Sequence, residues 1–256
     1  MGKFFSLIKK GFGFLSGGRP YSTYTSAIIV AGGSSTRMGG ASKQFIELLG
    51  IPVIVHTLLA FQNTPEINEI IVVIRKGEDG IYQEYKEKFN ISKLSKIVYG
   101  GETRQNSAEN GFYAISEDSR FVAIHDGARC LITPEEISDV CRNAYIYRAA
   151  AAAVPATDTI KIADKHGFIR KTIDRRTVWQ AATPQMFSVD LYNTALAVAK
   201  RDNVSVTDDC SLAENIKHKV KLVHCKKTNI KITQIEDIPC AKAILEDRLC
   251  EKGGQK

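Results

Sequence analysis

Short apolar runs rich in β-branched residues alternate with helical patterns from residue 26 onward. Strands of this kind are buried on both faces, and strands that alternate with helices form a parallel sheet covered by helices. The runs that predict strands are 27–31, 69–74, 96–99, 121–125, 149–154, 220–224 and 230–232. The helical patterns cover 53–63, 78–89, 104–116, 134–148, 189–200, 208–216 and 234–250. The sequence therefore predicts an α/β fold of three layers, with a mainly parallel, twisted sheet and helices on both faces.

Residues 157–182 interrupt this alternation. Two alternating segments, 159–163 and 168–173, flank the sequence Asp-Lys-His-Gly at 164–167, which is typical of a hairpin turn. A hairpin that interrupts a helix-covered sheet favours an arm that contacts a second subunit. We therefore predict a β-hairpin arm and a homodimer formed through it.

The first 25 residues differ from the domain that follows, which we place at residues 26–250. They are basic, aromatic and rich in glycine and serine. Because interior glycines each cost a helix about 1 kcal/mol, we expect a flexible extension. The alternative is a tail that docks on a membrane surface or a partner, since apolar residues could line one side of a short helix and Gly2 and Ser6 match the loose myristoylation pattern.

The charge balance argues against a nucleic-acid partner, in spite of an isoelectric point of about 9.0. The net charge is +7. Four of the positive residues lie in the first 26 positions, which contain no acid, so the other 230 residues carry only +3. A mild positive excess suits an anionic small ligand equally well.

The spacing of the cysteines and the lengths of the apolar runs indicate the cellular compartment that we expect for this protein. The six cysteines are scattered, and no two form a CxxC pair. Zinc-ribbon and thioredoxin-like sites therefore have no support, and reduced thiols in a cytoplasmic protein are expected. The apolar runs are far shorter than the roughly 18–20 residues that cross a bilayer.

The loop after the first strand reads AGGSSTRMGG and is followed by Ser42 and Lys43. It contains neither the P-loop pattern GxxxxGK[ST] nor the dinucleotide pattern GxGxxG. Small residues let backbone N–H groups approach an anion, and Arg37 and Lys43 add two cations six residues apart. This arrangement favours a triphosphate clamp; the alternative is a tight turn with two solvated cations.

The fourth predicted strand ends in the sequence His125-Asp126-Gly-Ala-Arg129. An acid at the carboxyl end of a strand can hold Mg²⁺, so Asp126 is the predicted metal ligand, and Arg129 could meet a second anionic group. A capped turn with a salt bridge is the alternative. We expect His125 to pack rather than ligate. The sequence makes no Ser-His-Asp or Cys-His nucleophile evident.

The order of the motifs resembles a known family. The segments AGGSSTRMG, SKQF, GGETRQNS, HDGAR, VPATDTIK, TIDR, WQAATPQMF, TDD and NIKIT occur in the order found in 2-C-methyl-D-erythritol 4-phosphate cytidylyltransferases, of the bacterial and plastid isoprenoid pathway. The resemblance covers about residues 26–248. The opening loop alone is weak evidence for this family, because other nucleotidyltransferases share it. The later series of motifs is specific to the family.

The resemblance implies roles for matching positions. CTP and a polyol phosphate would be the substrates, with Mg²⁺ as cofactor, and the arm would bring its residues to the partner's site. Catalytic residues would be Arg37, Lys43, Arg175 and Lys231. Nucleotide-binding residues would be Ala31, Gly32, Gly33, Gly101, Glu102, Ser107 and Asp126, with Asp126 also at the metal. Acceptor-binding residues would be Arg129, Thr159 and Thr183. The chain departs from the usual pattern at Gly32, Ser35, Glu102 and Cys130.

Two other functions stay open at this stage. Ribitol-5-phosphate cytidylyltransferases share the loop, HDxxR and TPQ motifs; the TIDR motif and Trp179 favour the methylerythritol substrate. A non-catalytic nucleotide-sensing domain is the other alternative. The intact residues Arg37, Lys43, Asp126 and Lys231 argue against it.

Overall fold

A computed structural model describes residues 23–33 and 43–253 of the 256-residue chain. The predicted extension therefore lies almost entirely outside the described residues, and so does Arg37. The main strands are β1 (Thr25–Val30), β4 (Glu69–Ile74), β5 (Leu94–Tyr99), β6 (Phe121–Asp126), β7 (Ala149–Pro155), β10 (Trp179–Ser188) and β11 (Lys221–His224). Two short pairs complete the strands: β2 (Glu47–Leu48) with β3 (Ile51–Pro52), and β8 (Lys161–Ala163) with β9 (Ile169–Thr172).

Seven helices were expected, and the described residues form them within a few positions of the predicted bounds. They are α1 (Val53–Gln62), α2 (Asp79–Lys88), α3 (Arg104–Phe112), α4 (Pro134–Tyr147), α5 (Val189–Arg201), α6 (Asp209–Asn215) and α7 (Asp237–Gly253). Single 3-10 turns cover Lys43–Phe45 and Arg175–Thr177.

The main sheet confirms the predicted α/β architecture. Its strand order is β11-β7-β10-β6-β1-β4-β5. Every neighbouring pair is parallel except those of β10, which runs antiparallel to β6 and β7. The pattern did not predict β10, because its first residues were assigned to the arm. Its Thr183-Pro184 step, a cis peptide, lies where the register with β7 shifts between Ala181 and Gln185, so the proline occupies a position without regular pairing.

The strand predicted at 230–232 is wrong. Ile230 N–H bonds to the Thr228 carbonyl, and Ile232 N–H bonds to the Ala128 carbonyl, which holds the segment as a loop. Ile232 is fully buried against α7. An apolar run buried under a helix has the same composition as a core strand, so the sequence did not separate the two cases.

Neighbouring residues of the central strands face opposite cores. Ile29 and Val72 pack with α1, α2 and α4, whereas Ile28 and Val73 pack with α3, α5 and α6. This alternation produces the three layers, because successive side chains in a strand point to opposite faces.

The sheet has a crevice at the carboxyl ends of its strands. From β1 the chain moves outward to β4 and β5, then crosses to β6 on the other side of β1. A reversal of strand order of this kind opens a ligand crevice between the two strands. Backbone bonds from Ala31 N–H to the Val73 carbonyl (2.7 Å) and from Gly127 N–H to the Val30 carbonyl (2.9 Å) hold the three strand ends at one edge.

The hairpin arm is confirmed as a local structure. Asp164 Oδ1 accepts from the N–H groups of His166 and Phe168, at 2.9 and 3.0 Å, and closes the turn between β8 and β9. The side chains of Phe168 and Ile169 are 72% and 66% exposed, which leaves apolar area on the arm uncovered within one chain.

Helix α7 packs against loops that follow the strands of the sheet. Its Ala241 joins a separate apolar cluster with Leu131 and Ile232, which lie in the loops after β6 and β11. Among the described residues, none of the helices is both long enough and apolar enough to span a bilayer.

Candidate functional site

Two adjoining cavities lie along the carboxyl edge of the sheet. The first, of about 450 Å³, is lined by Val30, Gly32, Gly33, Lys43, Gln44, Gly101, Glu102, Thr103, Arg104, Ser107, Asp126, Ala128 and Lys231. The second, of about 310 Å³, is lined by Arg104, Asp126, Arg129, Ala181, Ala182, Thr183, Gln185, Thr207, Asp208 and Lys231. The two cavities share Arg104, Asp126 and Lys231, so they form one continuous cleft with a charged dividing wall.

Asp126, the last residue of β6, is the centre of that wall. Its Oδ1 lies 3.1 Å from Arg104 Nε, and its Oδ2 lies 2.9 Å from Lys231 Nζ and 3.5 Å from Arg129 Nε. Burial favours the protonated form, but Arg104, Lys231 and Arg129 together hold the pKa of the Asp126 carboxyl well below its usual range. One carboxylate is thus ionised among three cations, and the wall keeps a positive excess that suits a polyanion.

Arg104 joins the wall to a second carboxylate. It is the first residue of α3, and its Nη1 lies 2.7 Å from Asp209 Oδ2, while the Tyr192 hydroxyl donates to Asp209 Oδ1 at 2.8 Å. Burial opposes the charged form of Arg104, but Asp209 and Asp126 raise its pKa above the usual value. The guanidinium therefore stays charged and fixed between two acids.

The first turn of α3 forms one side of the first cavity. Thr103 caps the helix by accepting from Asn106 N–H at 3.0 Å. Ser107 Oγ donates to the Thr103 carbonyl at 2.9 Å and accepts from Gly101 N–H at 3.1 Å. A Cβ on Gly101 would clash with Asn106, so only glycine lets the strand end fold this tightly onto the helix. The positive end of the α3 dipole consequently borders the cavity.

Lys43 borders the same cavity and is the first residue of a 3-10 turn. Its charge acts on Asp237 at the start of α7. Burial opposes ionisation of Asp237, but the N–H groups of Thr233 and Gln234, the Thr233 hydroxyl and the charge of Lys43 lower the pKa of that carboxyl. The charge of Lys43 therefore acts both on the first cavity and on the start of α7.

Thr183 and His125 form a neutral hydrogen-bonded support behind Asp126. The Thr183 hydroxyl accepts from Asp126 N–H at 3.1 Å and lies 3.1 Å from His125 Nδ1, and His125 Nε2 lies 3.2 Å from the Arg129 carbonyl. Burial lowers the pKa of His125 to about 3. A neutral ring fits the geometry, because Nε2–H can donate to the carbonyl while Nδ1 accepts from the Thr183 hydroxyl.

The loop after β11 brings Lys231 to the wall. The Asn229 side-chain amide donates to the Thr183 carbonyl at 3.0 Å, and the Asn229 backbone carbonyl accepts from Arg129 Nη1 at 2.9 Å. Asn229 is 4% exposed, so this link is buried. It fixes the loop two residues before Lys231.

Most of the residues predicted from the sequence meet in this cleft. Those that line the first cavity are Gly32, Gly33, Lys43, Gly101, Glu102, Ser107, Asp126 and Lys231. Arg129 and Thr183 line the second. Ala31 is buried beside the first cavity, with its N–H bonded to the Val73 carbonyl. Thr159 and Arg175 are exposed on the arm, where Arg175 Nη1 donates to the Thr157 carbonyl at 2.7 Å. Arg37 lies outside the described residues.

The motifs GGETRQNS, WQAATPQMF and TDD contain Arg104, Gln185 and the Asp208-Asp209 pair, but the sequence analysis assigned none of these residues to the site. Gln185 donates to Asp208 at 2.9 Å and accepts from Cys210 N–H at 2.9 Å, which fastens α6 to the wall of the second cavity. A signal existed for Arg104: a cation in the first turn of a helix opposes the helix dipole, so it indicates a nearby carboxylate.

The sequence profile of the 2-C-methyl-D-erythritol 4-phosphate cytidylyltransferase family matches residues 25–247. The chain belongs to this cytidylyltransferase family. Two curated family members are close in sequence. The enzyme of Pelotomaculum thermopropionicum is 38% identical, over 90% of this chain and 98% of its own length. That of Caldanaerobacter subterraneus is 45% identical, over 86% and 98%.

A solved cytidylyltransferase structure has the same fold. The 4-diphosphocytidyl-2C-methyl-D-erythritol synthase of Anaerococcus prevotii superposes with a TM-score of 0.79 at 34% identity, covering 87% of this chain and 96% of that one. The family profile, in turn, spans both cavities and the arm, because it runs from β1 into α7.

Proposed function

We propose that this protein transfers the cytidylyl group of CTP to 2-C-methyl-D-erythritol 4-phosphate and releases pyrophosphate, in the synthesis of isoprenoid precursors. The observation that carries the proposal is the wall shared by two cavities, where Asp126 holds Arg104, Arg129 and Lys231 around one point. Membership of the family supports this choice of substrates.

The first cavity is the proposed CTP site and the second the proposed acceptor site. Gly101, Glu102 and Ser107 are assigned to the nucleoside, and Lys43 to the phosphates. Arg129 borders only the second cavity, so it is assigned to the acceptor phosphate. Lys231 borders both and is assigned to the point where they meet. Arg37 is assigned to the triphosphate from its position in the sequence.

The reaction needs no general base under this proposal. A phosphomonoester oxygen is already anionic at neutral pH; it forms a bond to the α-phosphorus of CTP as the bond to pyrophosphate breaks. The obstacle is the approach of two polyanions. The cations of the wall lower that barrier by fixing the reactants and balancing the charge that develops on the phosphate oxygens.

Mg²⁺ is the proposed cofactor, and the donor set is compatible with it. Magnesium is commonly held by one or two carboxylates together with substrate phosphates. Asp126 supplies one such carboxylate, ionised and facing the first cavity. No cluster of three or more ligating side chains lies within the described ranges, so the phosphates would complete the coordination. The ion would supply charge neutralisation at the triphosphate.

A homodimer is the proposed assembly, with the arm reaching the partner's cleft. Exposed apolar side chains on the arm, Ile162, Phe168 and Ile169, support this proposal. Thr159 and Arg175 would then contact the acceptor in the partner's site. The cytoplasm is the proposed location, in keeping with six cysteines that are all free thiols.

The test is pyrophosphate release by purified protein with Mg²⁺, CTP and 2-C-methyl-D-erythritol 4-phosphate. We expect turnover that requires all three components and falls when EDTA removes the metal. Ribitol 5-phosphate, in a parallel reaction, should give far less. If pyrophosphate were released with ribitol 5-phosphate but not with 2-C-methyl-D-erythritol 4-phosphate, ribitol 5-phosphate would replace the proposed acceptor. CTP binding with no release of pyrophosphate in the presence of either acceptor would replace the proposed catalysis with nucleotide sensing.

A further inference from the structure

Arg248, on the C-terminal helix α7, connects two loops of the cleft without lining either cavity. Its Nη1 donates to the Leu131 carbonyl at 2.9 Å, and its Nη2 donates to the Thr228 hydroxyl at 3.1 Å. Leu131 lies in the loop after β6, two residues beyond Arg129. Thr228 lies in the loop after β11, three residues before Lys231.

These two loops carry the cations of the proposed acceptor site. Apart from Arg248, their direct links include Arg129 Nη1 to the Asn229 carbonyl and Ile232 N–H to the Ala128 carbonyl, both at 2.9 Å. The apolar contacts of Leu131 and Ile232 with α7 hold the loops close together but are not directional. The Arg248 bonds therefore add a further directional link to the two direct hydrogen bonds between the loops.

The chemistry of Arg248 fits this role. Arg248 is half-buried, while its neighbours Asp247 and Leu249 are exposed. Within the described ranges, no carboxylate lies at ion-pair distance from Arg248; its guanidinium donates to a backbone carbonyl and a hydroxyl. A planar fork of donors fixes both the distance and the angle between two acceptors, which an apolar side chain cannot do.

We propose that Arg248 is a positioning residue that sets the separation between Arg129 and Lys231. The inference rests on the proposed function, which assigns Arg129 to the acceptor phosphate and Lys231 to the point where the two cavities meet. Loss of Arg248 leaves both cations present and charged, but lets the loops that carry them shift relative to each other. The acceptor site, which Arg129 borders, is affected more than the CTP site, which α3 and Lys43 also build.

The test is steady-state kinetics of Arg248→Met, which keeps the packing of the side chain and removes both donors. We expect kcat/KM for the acceptor to fall about 10- to 100-fold, since small displacements of reacting groups cost rates of this size. The KM for CTP should change by about twofold or less. Arg248→Lys keeps one donor and should recover part of the loss. Lys242→Met, an exposed cation on the same helix, is the matched control and should behave as the parent.

A second variant keeps the test decisive if Arg248→Met fails to fold. Thr228→Val removes the hydroxyl to which Arg248 Nη2 donates. It should also lower kcat/KM for the acceptor substrate. The double variant Arg248→Met/Thr228→Val should be no worse than Arg248→Met, because both changes break the same bond. Equal losses for CTP and acceptor, or Arg248 variants with parental kinetics, would overturn the inference. A parent that turns over no acceptor at all would instead overturn the proposed function.

Discussion

Lys231 Nζ lies 2.9 Å from Asp126 Oδ2, at the wall that the two cavities share. The two residues come from distant parts of the chain, the end of β6 and the loop after β11. Asp126 also pairs with Arg104 and Arg129, so one carboxylate draws three cations to one place and offsets their mutual repulsion. The wall is thereby assembled before any substrate arrives, and a preorganised charge costs little rearrangement during the reaction.

Replacement of Lys231 by Met should lower turnover about 10²- to 10³-fold, by analogy with the removal of a single fixed donor at a site of developing charge. The measurement is pyrophosphate release at saturating CTP. Lys226→Met, an exposed cation in the same loop, is the control and should keep parental turnover. A folded Lys231→Met variant within about threefold of the parent would remove Lys231 from the catalytic set.

Mixing two inactive variants tests whether the arm serves the partner's site. Arg175→Met and Lys231→Met should each be nearly inactive. If Arg175 acts across the dimer, a mixed dimer contains one site with both residues intact, so equilibrated mixtures should regain about a quarter of parental activity. If Arg175 acts in its own subunit, both sites of a mixed dimer stay defective. No recovery, with subunit exchange verified by a tagged chain, would contradict the crossed arm.

His125 should make the folded protein less stable in acid. Burial lowers its pKa to about 3, below the unfolded value near 6.5, so the unfolded chain binds a proton that the folded chain does not. Its contribution is fully present above about pH 6.5 and is lost as the pH falls toward 3, by up to about 1.4 kcal/mol per pH unit.

Urea denaturation between pH 7 and pH 4.5 measures this slope. His125→Gln should have a shallower dependence of unfolding free energy on pH than the parent, whatever its absolute stability. His166→Gln, on the exposed turn of the arm, controls for the removal of an imidazole. Equal slopes for parent and His125→Gln would mean that His125 is not the group that titrates on unfolding.

Gly111→Ala should destabilise the fold, because α3 lies very close to the sheet at this point. A Cβ on Gly111 would clash with Ile28 Cγ2 and would lie 2.9 Å from Val73 Cγ2. Overpacking of this kind costs about 1–3 kcal/mol. Gly80→Ala, in α2, meets nothing within 4 Å and should raise stability by up to about 1 kcal/mol. Thermal unfolding of the pair measures the difference; an unchanged midpoint for Gly111→Ala would show that α3 can move away.

The sequence predicted elements whose signals are local. Buried strands such as β1 and β4 are continuous apolar runs, and α4 begins at a capping box in which Thr133 and Glu136 bond each other's backbone N–H groups. β10 escaped prediction because its place in the sheet depends on β6 and β7, which are distant in sequence. Tertiary pairing of this kind leaves little trace in a single segment.

The site residues that the sequence predicted are likewise those with a local signal. Asp126 and Lys231 stood out as charged residues in motifs that were expected beside strand ends, although the strand expected around Lys231 is a loop. Arg104 and Asp209 did not stand out in the sequence. Each contributes to the site through its ion pair with the other, and the two are 105 positions apart in the chain. The support that His125 and Thr183 give to Asp126 was likewise invisible before the two strands β6 and β10 were paired.

The antiparallel course of β10 has a mechanical consequence. The chain leaves the arm through the turn at Arg175–Thr177 and enters the middle of the sheet directly, with Thr183 only a few positions later. Thr183 holds the backbone of Asp126. A displacement of the arm is therefore transmitted through the covalent chain to the strand beside Asp126. Contacts made by the arm are in this way coupled to the position of the carboxylate that pairs with the three cations.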